Sequence, residues 1–321
     1  MGLLVTGGRG FIGSHFVWAA AREGRRVVVL DDHSGGAPAP MPHGVLAILG
    51  DIGDERLVSS LIREHRLTAL VHFAGKIQVG ESVQRPELYF DVNVSRSLRL
   101  LESARRGGLE QIVFSSTAAV YGHPDRIPIG EDAPRAPVNP YGATKLAFEF
   151  ALEAAGRAHG LRWVAPRYFN AAGASPDGHL REAHEPETHL IPLILDAALG
   201  RRPPLRVYGA DYPTPDGSCI RDYIHVCDLA DAHLAALRRL EAGDSLGPIN
   251  LGLGRGYSVL EVLAAAKELV GMEVPYDIGP RRPGDPPVLV ADPARAQVEL
   301  GFNPCRSELR TILEDTLRSR R

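Results

Sequence analysis

The sequence has no apolar run long enough to span a bilayer and no charged-then-apolar stretch at its N-terminus. Neither a membrane span nor a secretory leader is expected. Charge of one sign is also wanting. Thirty-six Lys and Arg face 39 Asp and Glu, and a net charge of -3 gives no electrostatic case for nucleic acid. Cysteine is sparse: Cys219, Cys227 and Cys305 are odd in number and lack metal-ligand spacing. A reduced, cytoplasmic setting fits them, and no metal is expected. Lysine is scarce in this arginine-rich chain, occurring only at Lys76, Lys145 and Lys267.

What is present is ordinary for a globular protein: 321 residues, 44% hydrophobic and 23% charged. That length suits one large α/β unit and a smaller domain. The start Met1-Gly2-Leu3-Leu4-Val5-Thr6 matches a myristoylation pattern, but it reads as a buried first strand. Asn93-Val94-Ser95 is a formal glycosylation sequon with no role in a cytoplasmic protein.

Strand-like and helix-length segments alternate through the first half. Leu3–Thr6, Val27–Leu30, Val45–Leu49, Ala69–Phe73, Ile112–Ser115 and Trp163–Arg167 each read as a buried strand. Pro86–Arg106 and Tyr141–His159 read as amphipathic helices. This alternation predicts a doubly wound parallel sheet of the Rossmann type. After Asn170, Pro- and Gly-rich stretches interrupt shorter elements. The expected division is residues 1–170, with a returning segment near 223–252, for the dinucleotide domain, and 171–321 for a loop-rich substrate domain.

Gly7, Gly10 and Gly13, with Phe11 and Ile12 between them, follow the first strand and open a helix. Glycine lets the backbone turn sharply and approach a pyrophosphate, whose charge then sits at the helix N-terminus. Asp31 ends the second strand, where a carboxylate receives the adenosine ribose diol. Asp31 and Asp32 would repel a 2′-phosphate, and no Arg or Lys adjoins them in sequence, so NAD is favoured over NADP. Asp51 and Ile52 stand where they can hold the adenine, although Asp51 fits equally as a helix cap. Phe73, Ala74 and Gly75 end strand four, where small residues let a cofactor cross the sheet edge.

Tyr141-Gly142-Ala143-Thr144-Lys145 is the most informative pentapeptide. Residues four apart share a helix face, so the phenol and the ammonium can meet one ligand. A free tyrosine is a weak base at neutral pH, with a pKa near ~10. A cation about 5 Å away at an effective dielectric of ~20 contributes roughly 3 kcal/mol, about two pKa units. An oxidised nicotinamide would add a second positive charge. Ser115, Ser116 and Thr117 close strand five at the carboxyl ends of the sheet. Thr117 can relay a sugar proton, or the hydroxyls can merely cap the next segment.

These features resemble the extended short-chain dehydrogenase/reductase superfamily. Phe73–Ser82, Ser115–Gly122, Arg167–Asn170, Tyr212–Val226 and Arg281–Asp285 are similar to the UDP-glucose 4-epimerase family, and the likeness runs over nearly the whole chain. The resemblance implies Tyr141 as general base, Thr117 as hydroxyl relay and Lys145 as the cofactor and pKa residue. It implies Asn93, Ser115 and Tyr168 at the cofactor, and Asn170, Arg221, Arg282 and Asp285 on the UDP group. Tyr208 would lie beside the uracil, with His189 and Leu190 in the substrate loop and Leu289 beside the sugar's C2 substituent. The implied reaction interconverts UDP-galactose and UDP-glucose through a 4-keto sugar, in a homodimer holding NAD tightly. Leucine at 289 implies a preference for sugars without an N-acetyl group.

Some positions depart from the family pattern. Ile77 stands where many epimerases have lysine, His189 where asparagine is usual, and Asn93-Val94-Ser95-Arg96-Ser97 replaces Asn-Val-x-Gly-Thr. Two rivals are weighed against this reading. A 4,6-dehydratase would follow the strand-five threonine with an acidic pair, but Ala118 and Ala119 occupy those places. A non-catalytic NAD-binding regulator would tend to lose the Tyr or the Lys, and both are here.

Overall fold

The computed structural model describes residues 2–282 and 284–320. Met1 of the lipidation pattern and Pro283 of the Arg281–Asp285 segment lie outside the described residues. The first half alternates strand and helix as β1 (Gly2–Thr6), α1 (Phe11–Arg22), β2 (Arg26–Asp31), β3 (Leu46–Leu49), α2 (Glu55–Glu64) and β4 (Ala69–His72). It continues with α3 (Val79–Gln84), α4 (Pro86–Phe90), α5 (Ser97–Arg106), β5 (Gln111–Phe114), β6 (Ser116–Thr117), α6 (Pro140–His159), β7 (Arg162–Tyr168) and β8 (Asn170–Ala172). The second half holds α7 (Leu190–Ala198), β9 (Leu205–Tyr208), β10 (Ile220–Arg221), β11 (Tyr223–His225), α8 (Val226–Glu241) and β12 (Gly247–Leu251). It ends with β13 (Tyr257–Ser258), α9 (Val259–Val270), β14 (Tyr276–Gly279), β15 (Val288–Leu289), α10 (Ala294–Leu300) and α11 (Leu309–Arg318).

The main sheet runs β3-β2-β1-β4-β5-β7-β12, with β6 added against β7. Its pairings are parallel; Val5 of β1 stands opposite Val29 of β2 and Val71 of β4. Successive side chains of a strand point to opposite faces, and β1 shows what that does here. Leu3 and Val5 enter a core with Phe16 of α1 and Leu234 and Leu237 of α8, whereas Leu4 enters the opposite core with Leu61 of α2, Leu100 of α5 and Phe148 of α6. Continuous apolar strands are what a sheet covered on both faces requires. A third core gathers Ile194 of α7, Val262 of α9, Ile312 of α11 and Val207 of β9 in the smaller half.

Two expectations about elements need correction. Val45–Leu49 is not a buried strand: the strand runs Leu46–Leu49, and Leu46 and Leu49 are 40% and 67% exposed, because among the described residues it pairs with β2 alone, at the sheet edge. The segment 86–106 is helical throughout, but it is not one uniform α-helix either. A π-helical turn at Asp91–Arg96 separates α4 from α5, and it turns Asn93 inward to 3% exposure.

Helix α6 is fixed at both ends. The Asn139 side chain accepts from the Gly142 N–H at 2.9 Å, Pro140 takes the first turn, and Gly160 closes the helix at φ 71°. Mid-helix, Glu149 meets Arg167 of β7 in a fork of two hydrogen bonds, from Nε at 2.9 Å and from Nη2 at 2.5 Å. Arg167 is 0% exposed and Glu149 is 1% exposed. Removing one partner of such a pair strands a buried charge, at a cost of about 3–5 kcal/mol. Arg167→Met should therefore lower the melting temperature sharply, and Arg167→Met/Glu149→Leu should regain much of the loss. Calorimetry on the two variants checks this; equal melting temperatures would show that the stranded charge is not the cause.

Candidate active site

One cleft of about 1620 Å³ lies across the carboxyl ends of the sheet strands and the smaller half. The turn after β1 forms its floor. Gly7 sits at φ +70°, and a Cβ there would lie 2.5 Å from the Ala74 nitrogen; a Cβ on Gly13 would lie 2.2 Å from the Gly7 oxygen. Only glycine lets the turn pack this closely. Gly10 then begins α1 with no side-chain cap and no acidic residue in the first turn. The N–H groups of Phe11, Ile12 and Gly13 are left for an anion, as a dinucleotide pyrophosphate requires.

Asp31 lines the same cleft, and its carboxylate accepts the Arg9 and His33 N–H groups, both at 2.8 Å. An arginine thus lies beside this carboxylate after all. Arg9 reaches it from the glycine turn, which adjacency in sequence could not reveal, and its guanidinium is spent on the Ala39 carbonyl and on His33. Asp51 and Ile52 line the cleft as well, but Asp51 does not cap α2. Asp54 does, accepting from the Arg56 and Leu57 N–H groups, while Asp51 accepts from Gly53 N–H and pairs with Arg96.

Phe73, Ala74, Gly75, Ser115 and Tyr168 also line the cleft, and the hydroxyls of Ser115 and Tyr168 share a hydrogen bond of 2.8 Å. Asn93 stands behind the wall. Its amide brackets Lys76, accepting from its N–H at 2.8 Å and donating to its carbonyl at 3.0 Å, and it also donates to Thr144. It shapes the loop after β4 rather than facing the cleft.

Thr117 and Tyr141 meet on the floor. Thr117 accepts from the Ala119 N–H at 3.2 Å, so it does cap the short turn that follows, and its hydroxyl lies beside the Tyr141 phenol. Lys145, 3% exposed, lies behind them; its Nζ donates to the Ser115 carbonyl at 3.0 Å and sits 4.9 Å from the centre of the Phe114 ring. Burial pushes the Tyr141 phenol up to about 12, against the lowering by the neighbouring Thr117 hydroxyl, and pulls Lys145 down to about 8, against the Glu149 carboxylate. The expected lowering of the phenol by the lysine is therefore outweighed by desolvation in the protein alone. Beneath them His72 is held neutral by burial and by Lys145, down to about 3, bridging the Thr6 and Ser97 hydroxyls.

Further along the cleft lie Asn170, His189, Leu190, Tyr208, Arg221, Arg282, Asp285 and Leu289. The Arg282 guanidinium lies over the Tyr208 ring at 4.0 Å, and Arg221 pairs with Asp285. Leu289 stands beside Arg221 across the β15–β10 pairing and packs toward the cluster of Ala118, Val120 and Ile129. His189 precedes α7, with Leu190 opening it.

Sequence reasoning missed Glu149 and Arg9, and the bond that Ser116 makes to Glu149. Glu149 was the most accessible of these, since it follows Lys145 by one helical turn. Ser116 donates to it at 2.5 Å, tying the strand end that carries Thr117 to the helix that carries Tyr141.

A parallel doubly wound sheet, a capless helix after its first strand and a Thr-Tyr-Lys set at the strand ends define a dinucleotide-dependent enzyme of alcohol chemistry. The profile of the NAD dependent epimerase/dehydratase family matches residues 3–252. A UDP-glucose 4-epimerase of Azospirillum brasilense is 50% identical over 98% of this chain and 90% of its own length. The crystal structure of UDP-glucose 4-epimerase from Brucella ovis in complex with NAD superposes with a TM-score of 0.94, at 45% identity and covering 98% of this chain and 97% of that one. That from Bifidobacterium longum in complex with NAD+ and UDP gives 0.93, at 37% identity, covering 100% and 98%. The chain belongs to the NAD dependent epimerase/dehydratase family, among its UDP-glucose 4-epimerases.

The two shifted groups give a test on the cofactor-free chain. A lysine depressed from 10.5 to about 8 leaves the folded state with fewer protons between those values, so its contribution to stability rises with pH through that window. At neutral pH the buried ammonium costs roughly 1–3 kcal/mol after its hydrogen bond is counted. Lys145→Met should be more stable than wild type at pH 7, and the advantage should vanish above pH 10.5. Denaturant melts across that range check this, and a pH-independent difference would contradict it.

Proposed function

We propose that the enzyme interconverts UDP-galactose and UDP-glucose, with Tyr141 taking the proton of the sugar's 4-hydroxyl and Thr117 relaying it. The observation that carries this reading is that Thr117 and Tyr141 line one cleft side by side, with Lys145 buried behind them. Bound NAD supplies a reversible two-electron partner for C4, so the sugar passes through a 4-keto form. Thr117 keeps the phenol within reach of that oxygen, and Lys145 fixes the strand end through the Ser115 carbonyl. Ala118 and Ala119 line the cleft where a dehydratase would need an acid to expel water, which favours epimerisation.

Residues 1–170 with 223–252 serve as the NAD-binding part in this reading, and 171–321 as the UDP-sugar part. Asn170, Arg221, Arg282 and Asp285 hold the UDP, Tyr208 flanks the uracil, and His189 and Leu190 border the substrate. Guanidinium forks match diphosphate oxygens. Leu289 borders the hexose and disfavours an N-acetyl group, because it offers the amide no hydrogen bond. The chain acts as a cytoplasmic homodimer. Exposed Phe90, Leu98 and Phe150 on α4, α5 and α6 support a helical interface, and the three free cysteines suit a reducing compartment.

A coupled assay run from UDP-galactose and from UDP-glucose tests the activity directly. Tyr141→Phe should lose most turnover while binding UDP-sugar as wild type does. Near wild-type turnover would remove Tyr141 from the role of base. Arg221→Ala and Arg282→Ala should each weaken plain UDP by ~1.5–3 kcal/mol in calorimetry, as expected for a lost charge-assisted contact. Unchanged affinity in both variants would return the two arginines to solvated surface charges.

A further inference from the structure

The chain before α7 carries a cluster in which only His189 has a place in the proposed substrate site, and Glu182 and His184 have none. Glu182, His184 and His189 bring a carboxylate oxygen and two imidazole nitrogens within 4.8 Å of one another at the cleft wall. Glu182 is 5% exposed. Its Oε1 accepts the Ala183 N–H at 2.9 Å and meets the His184 Nδ1. Its Oε2 has no hydrogen-bond partner among the described residues and lies 3.4 Å from the His189 Nδ1. A buried carboxylate oxygen without a partner is costly and points to an absent one. Glu187 Oε1, 2.8 Å from the His189 Nδ1, adds a further oxygen at the rim.

We propose that Glu182, His184 and His189 bind one divalent transition-metal ion of the zinc type. Two imidazoles with a carboxylate are a zinc-like donor set, whereas magnesium and calcium take oxygen ligands. Tetrahedral ligands on zinc stand roughly 3.4 Å apart, given metal–ligand bonds of about 2.1 Å. The donors, within 4.8 Å of one another, would have to close to that separation by side-chain rotation on binding, with the fourth position left for water or Glu187. Cysteine spacing gave no hint of this site, because no cysteine takes part. The ion would also act as a latch. The His184 backbone bridges Gly36 in the loop after β2, and His189 leads into α7, so one metal would tie the adenosine end of the cleft to the smaller half.

The test uses the untagged full chain, stripped with chelator and dialysed against zinc. One equivalent per chain by elemental analysis is expected, with a raised melting temperature. Cobalt(II) titration should give the visible bands of a tetrahedral site. His184→Ala and Glu182→Gln should each weaken zinc at least about a hundredfold, whereas His43→Ala should bind as wild type does. The wild-type cobalt spectrum stands even if a variant folds poorly. Zinc uptake below about a tenth of an equivalent, or equal affinity in wild type and His184→Ala, would overturn the proposal. Neither readout depends on epimerase activity.

Discussion

The buried fork between Glu149 and Arg167 is the constraint on which the site depends. Burying two charges is expensive, and an apolar pair of similar volume would often be as stable. What the ion pair adds is position. Glu149 follows Lys145 by one helical turn, so the contact that fixes Glu149 against β7 also fixes the rotation of α6, and with it the direction of Lys145 and Tyr141. Ser116 donates to the same carboxylate and holds the strand end that presents Thr117. Arg167 donates to the Tyr121 hydroxyl at 2.8 Å, which donates to Asn250 at 2.7 Å, so the network reaches β12, the strand that returns from the second half. Slack anywhere along this chain would move the Tyr141 phenol relative to the Thr117 hydroxyl.

The same burial that fixes the groups makes them weak at their task in the protein alone. Desolvation raises Tyr141 and depresses Lys145, so each is driven toward its neutral form. A positive charge brought into the cleft favours the phenolate, and the oxidised nicotinamide carries one. Base strength is then conditional on what the cleft holds. An idle phenol stays protonated, which suits an enzyme whose proton and electron transfers must reverse on the same residues.

Much of this was legible in the sequence because it is local. The glycine turn, the continuous apolar strands and the Tyr-x-x-x-Lys spacing are short-range patterns with one physical reading each. What stayed hidden was made by chain returning from far away. The exposure of Leu46–Leu49 depends on which strand has no outer neighbour, and four residues cannot encode that. Arg9 lies beside Asp31 although 22 positions separate them, and Arg167 finds Glu149 from the next strand. The π-helical turn also brings the Asn93 amide onto the Lys76 backbone. Helical periodicity does not register a single wide turn.

The departures from the family pattern become intelligible together once their partners are known. Where the related motif has glycine then threonine, this chain has Arg96 and Ser97. Ser97 keeps a hydroxyl, and that is what the interior needs, since it meets the His72 Nε2 at 3.0 Å and lets that buried ring stay satisfied while neutral. Arg96 is a larger change. Its guanidinium pairs with Asp51 and with Asp91, 2.7 Å away, and its stem lies within about 3.2 Å of where a side chain on Gly53 would begin. The added side chain therefore covers the adenosine end of the cleft and compensates the charge of Asp51, while Gly53 leaves room for it. The two carboxylates make the arginine tolerable there, and the arginine removes the bare acidic edge that Asp51 would otherwise present. A difference that looks like a loss of the motif is thus a local exchange of backbone compactness for an ion pair at the same wall.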